Sequence, residues 1–103
     1  MHGTALAPRA SATVEIADLD KSGNWPLKVV VHGLKPLPRG QFYEMYLTRN
    51  GKPIASCGTF RVDSGESVRL NAPYDLREYD GWIVRREGRG AKTHPVVLTT
   101  STT

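Results

Sequence analysis

The stretch Gln41-Phe42-Tyr43-Glu44-Met45-Tyr46-Leu47-Thr48-Arg49-Asn50-Gly51-Lys52-Pro53 decides the fold class. Side chains of an extended chain alternate between two faces, and here Tyr43, Met45 and Leu47 fall on one face while Phe42, Glu44, Tyr46 and Thr48 fall on the other. Asn50-Gly51 follows directly, and both residues accept the positive φ that a two-residue type I′ hairpin turn demands. The reading is a strand over 41–49, a tight turn, and a return strand over 54–62.

The same period of two recurs on either side. Ala12, Val14 and Ile16 share one face of an earlier strand, and Leu27, Val29 and Val31 form the inner face of a second that stops at Gly33. Between that strand and the central one lies 34–40, where Pro36 and Pro38 lack the N–H a central sheet position needs, so this segment reads as a crossover between sheets. After the hairpin, Asp63-Ser64-Gly65 makes a turn, and Val68 and Leu70 carry a shorter strand. Residues 72–79, with Pro73, Asp75, Leu76 and Glu78, suit one helical turn. Trp82 and Val84 alternate in the next strand, 88–92 forms a loop, and 95–100 is the last strand. The expectation is therefore all-β: an antiparallel immunoglobulin- or fibronectin-like β-sandwich of about seven strands. Tyr79 is a candidate tyrosine corner, its hydroxyl bonding back to the preceding crossover.

With 103 residues, ten Gly and seven Pro, the chain has the size and composition of one small domain with a core of its own. The expected division is a disordered or vector-derived start over 1–10, a single sandwich over 11–100 and a frayed tail over 101–103. No stretch approaches the roughly 20 apolar residues of a membrane span, and 1–12 lacks the apolar core of a secretory signal. The lone Cys57 forms no intrachain disulfide and so leaves the redox compartment open.

Enzyme chemistry finds no foothold. Ser56 and Ser64 lack an elbow motif, and Cys57 lies mid-strand among small neighbours, the setting of a structural thiol. His32, Cys57 and His94 suggest a blue-copper set, but no short Cys-to-His loop follows Cys57 and no Met follows His94. Zinc spacing is missing, and Gly88-Arg89-Gly90 has neither a Walker pattern nor a following helix. The expectation is a non-enzymatic domain with no catalytic, cofactor-binding or metal-ligating residue.

Binding is the remaining class. Fourteen basic against ten acidic residues give a net charge of +4, with Arg85, Arg86, Arg89 and Lys92 gathered around Glu87. Such a patch suits the phosphates of nucleic acid or of lipid headgroups, but a solvated hairpin whose Arg side chains keep the edge soluble is the favoured reading. Among the aromatics, Phe42 and Tyr46 sit opposite the aliphatic face of their strand and form the other half of a candidate partner or ligand surface: Phe42, Tyr46, Arg85, Arg86 and Arg89.

The run Gly33-Leu34-Lys35-Pro36-Leu37-Pro38-Arg39-Gly40, then the 41–47 strand, Asn50-Gly51-Lys52-Pro53 and Cys57-Gly58-Thr59-Phe60-Arg61-Val62, resembles the C-terminal extracytoplasmic domain of bacterial anti-sigma factors of the anti-sigma-K type. That family has a Gly-Leu-x-Pro-Leu-Pro-x-Gly crossover, a Tyr-Glu-Leu-Trp-Leu-like strand, a Gly-x-Pro hairpin and a Gly-Thr-Phe return strand. Ala72-Pro73-Tyr74-Asp75-Leu76 and Tyr79-Asp80 match its next turn, and the likeness spans residues 27–87. Tyr46 stands where the family usually has Trp, and Arg85-Arg86-Glu87-Gly88 replaces Thr-x-Glu-Pro. The resemblance implies a sensor or interaction domain outside the cell membrane. Its anchor would be a spanning segment N-terminal to this chain, and a further cytoplasmic part would hold a sigma factor inactive. A free-standing sandwich that binds carbohydrate or another cell-wall component is the alternative, and nucleic-acid binding ranks below both.

Overall fold

The computed structural model describes residues 1–62, 67–72, 76–88 and 95–100. Among the described residues eight strands follow in chain order: β1 (His2–Gly3), β2 (Ser11–Ile16), β3 (Trp25–His32), β4 (Gln41–Arg49), β5 (Lys52–Phe60), β6 (Ser67–Ala72), β7 (Gly81–Gly88) and β8 (Val96–Thr99), with a 3-10 turn at Leu76–Glu78. Every pairing is antiparallel, and the strands form one sheet in the order β5-β4-β7-β8-β1-β2-β3-β6. The sheet rolls over on itself until its two edge strands, β5 and β6, pack against each other, so the architecture is all-β and close to a closed barrel.

The inner face follows the alternation of the sequence. Leu27, Val29 and Val31 of β3 meet Tyr43, Met45 and Leu47 of β4 and Val84 of β7 in one cluster, each at most 2% exposed. Each fully buried aliphatic or aromatic side chain of this kind stabilises the fold by about 1.5–3 kcal/mol before entropy is charged against it. Asn50 and Gly51 take φ of 55° and 75°, the left-handed pair expected of the β4–β5 turn. Pro53 is tolerated within β5 because β5 is an edge strand of the hydrogen-bonded sheet. Register shifts between Met45/Tyr46 and Leu47/Thr48 mark bulges in the β4–β5 pair. Next to the first of them Gly58 has φ 129°, and a Cβ there would lie 3.0 Å from Leu70 Cδ2 of β6. Glycine is thus required where the two edges approach.

Several expectations change. The start of the chain belongs to the sheet: His2 and Gly3 pair with Thr99 and Leu98, His2 also pairs with Ser11, and Ala10 is buried. This short strand bridges β8 to β2 and makes one sheet where two were expected, and eight strands where about seven were. Ile16 is 51% exposed, unlike Ala12 on the same face, because the rolled sheet opens at that end into a cleft of about 200 Å³ between Ile16, Leu47 and Trp82. Tyr43 bonds onto the 34–40 crossover, donating its hydroxyl to Lys35 O at 2.6 Å. Tyr79 lies beneath the Arg49 guanidinium, 5.2 Å from ring centroid to Cζ. The Asp63-Ser64-Gly65 turn, Pro73 to Asp75, the 89–94 part of the late loop with His94, and the tail 101–103 lie outside the described residues.

Candidate functional site

Strands β4 and β7 are adjacent, and their register sets Phe42 opposite Glu87, Glu44 opposite Arg85, and Tyr46 opposite Ile83 on the outer face. Same-face cross-strand neighbours lie within side-chain reach, so the pattern of alternation assembles a polar and aromatic cluster there. The Arg85 guanidinium sits over the Tyr46 ring, 5.4 Å from its centroid, and Arg85 Nε lies 3.1 Å from Glu87 Oε1. Glu44 accepts the Ser56 hydroxyl at 2.5 Å. Glu87 is 8% exposed, and a carboxylate held that deep requires the adjacent guanidinium to offset its lost hydration.

These neighbours fix the state of Tyr46. Burial, a hydrogen bond to Glu44 and the negative charges of Glu44 and Glu87 push its hydroxyl far above the ordinary tyrosine range, and the Arg85 charge only partly opposes them. Tyr46 is therefore a neutral phenol with a half-buried ring. Among the described residues the cluster carries two carboxylates, Glu44 and Glu87, and one guanidinium, Arg85.

Of the five surface residues expected from the sequence, the structure brings together Phe42, Tyr46 and Arg85 on this face. Arg86 is the next residue along β7 and points to the opposite side. Its Nη2 donates to Gln41 Oε1 at 3.1 Å, and it lines a cavity at the end of the fold crossed by the 33–40 segment. Arg89 lies outside the described residues. Glu44, Ser56 and Glu87 were missed as members of the cluster. Alternation alone places Glu44 beside Phe42 and Tyr46, and Glu87 beside Arg85.

The crossover that walls the cavity is held from two strands. Tyr43 of β4 bonds Lys35 O, and beyond the end of β5, Arg61 donates through Nη2 to Leu37 O at 3.0 Å and through Nη1 to Gln41 O. Burial raises the Tyr43 hydroxyl above its ordinary range, and the Arg86 charge opposes this in part. A second clamp sits at the far end of β4: Asp80 accepts the Thr48 hydroxyl at 2.7 Å and the Asn50 N–H at 2.5 Å, tying the hairpin turn to the start of β7. Cys57 is buried, and desolvation pushes its thiol up to about 11, leaving it a protonated thiol at neutral pH. His32 ends β3 in an exposed position.

Among the described residues, no group of three or more His, Cys, Asp or Glu is placed to hold a metal ion. Among them, too, no helix is long and apolar enough to cross a membrane. No protein-family model, curated protein or solved structure matches this chain.

Proposed function

We propose that the chain is the extracytoplasmic sensor and interaction domain of a membrane-anchored anti-sigma factor of the anti-sigma-K type, acting by binding and not by catalysis. What supports this reading is that the segments carrying the resemblance are also in mutual contact. The proline crossover is bonded by Tyr43 of the Tyr-Glu strand and by Arg61, which follows the Gly-Thr-Phe return strand. Residues far apart in sequence thus serve one local arrangement, which gives the ordered combination of motifs a physical reason. In this reading the rolled sheet is an immunoglobulin-like sandwich whose two halves are joined through β1. The sigma factor is bound by a cytoplasmic part that precedes a spanning segment, and this domain faces the signal from outside.

The test is the topology of the full-length protein. Alkaline phosphatase fused behind this domain in the native reading frame is expected to be active, and β-galactosidase fused at the same point inactive. The reverse pattern overturns the assignment.

A second reading, a free-standing module for carbohydrate or another cell-wall component, is favoured by the neutral Tyr46 ring flanked by Glu44, Arg85 and Glu87. Stacking of a sugar on an aromatic ring with polar side chains at its edge is a common mode for such ligands. Tyr46→Ala would then abolish binding to isolated peptidoglycan, whereas no saturable binding to a glycan panel removes this reading.

A further inference from the structure

The cavity beneath the proline crossover has a volume of about 390 Å³, within the range of small-molecule sites. Its apolar wall runs from Leu6 on the N-terminal turn to Leu34, Pro36 and Leu37 of the crossover, and its polar groups include Tyr43 and Arg86. Three cationic side chains line it, Arg9, Lys35 and Arg86, and no Asp or Glu does so among the described residues.

Arg86 is the informative member. Its Nη2 is engaged by Gln41, while its Nε is buried and makes no hydrogen bond to a described residue. A buried guanidinium N–H left without an acceptor is unfavourable, and a guanidinium that lines a cavity suits an oxyanion such as a carboxylate through charge-assisted hydrogen bonds. Tyr43 is already committed to Lys35 O and does not compete for the ligand as a donor.

We propose that this cavity binds a small amphipathic acid, its carboxylate at the Arg86 guanidinium and its apolar body against Leu34, Leu37 and Leu6. The positive lining supplies charge complementarity and the proline-stiffened wall a preformed surface. The site goes beyond the sensor assignment and stands or falls separately from it.

Octanoate, 1-octanol and acetate, titrated into the purified chain and followed by amide chemical shifts, test the proposal. Octanoate is expected to give saturable shifts at Leu34, Lys35, Leu37, Tyr43 and Arg86, with octanol and acetate each at least tenfold weaker. Arg86→Gln is expected to weaken octanoate about tenfold or more. Leu6→Glu places a negative charge at the mouth on a side chain that is already 66% exposed, so it leaves the core untouched, and it is expected to weaken octanoate by a similar factor. If Arg86→Gln fails to fold, Leu6→Glu decides. Absence of saturable shifts at these residues, equal binding of octanol or acetate, or octanoate affinity unchanged by Leu6→Glu overturns the proposal.

Discussion

Tyr43→Phe removes one oxygen atom and isolates the bond that ties the crossover to the sheet. The ring stays in the core, 2% exposed and stacked on Phe60 at a centroid distance of 5.6 Å, so neither packing nor hydrophobic burial changes. What is lost is the 2.6 Å hydrogen bond to Lys35 O. A buried hydrogen bond between neutral groups contributes about 0.5–1.5 kcal/mol net, and the orphaned carbonyl would cost more if water could not reach it. Here Lys35 lines the cavity, so water reaches its carbonyl and the expected loss is about 1 kcal/mol. Urea denaturation should show a lower midpoint at unchanged slope, and the thermal midpoint should fall by roughly 4–8 °C. Arg61→Met cuts the second tie, its charge-assisted bond to Leu37 O, and should cost about 1.5–3 kcal/mol. Because both ties hold one segment, the double variant should be non-additive by about 0.5 kcal/mol or more. A loss below about 0.3 kcal/mol for Tyr43→Phe, or strict additivity of the pair, would refute the view that the crossover is held by these two side chains acting together.

Three further outcomes follow from other parts of the fold. Gly58→Ala should destabilise by about 2 kcal/mol, since it combines backbone strain at φ 129° with a methyl 3.0 Å from Leu70, whereas Gly51→Ala, with no atom within 4 Å, should cost only about 1 kcal/mol; equal midpoints in chemical denaturation would contradict this. The Cys57 thiol ionises from 9 in the unfolded chain but only near 11 in the folded one, so its contribution is complete below pH 9 and lost between pH 9 and 11, about 2–3 kcal/mol, and Cys57→Ala should flatten that part of the stability profile. Asp80 behaves in the opposite sense: hydrogen bonds from Thr48 and then Asn50 hold its carboxyl below the ordinary 3.8, so its contribution is present above that pH and is lost as pH falls through the lower folded value. Asp80→Asn should therefore lose stability at neutral pH, with the gap to the parent chain closing in acid; a gap independent of pH would exclude the carboxylate as the cause.

Local signals were sufficient wherever the physics is local. The alternation of Tyr43, Met45 and Leu47 and the turn chemistry of Asn50-Gly51 depend on a few successive residues, and both are reproduced in the fold. The role of His2-Gly3 was not legible, because a two-residue strand has no periodicity and its partners, Leu98 and Thr99, lie at the other end of the chain. The bulge at Ser56–Gly58 was hidden for a related reason: it lies where Leu70 approaches Gly58 across the rolled sheet, a contact that no neighbour in sequence announces. Arg85 and Arg86 teach a different lesson. Read as a charge cluster they form one patch, yet the period of two sends them to opposite faces, one into an ion pair with Glu87 and the other into the cavity. The pairing that turns Tyr46 into part of a polar cluster became visible only with the β4–β7 register.

The measurement closest to the central claim is affinity purification of the full-length protein, tagged in its native cell, from solubilised membranes. The account predicts that an RNA polymerase sigma factor co-purifies with it, and that proteolytic removal of the domain described above, from the outer side of the membrane, leaves that complex intact. Recovery of the full-length protein from the membrane-free fraction with no sigma factor attached would contradict it.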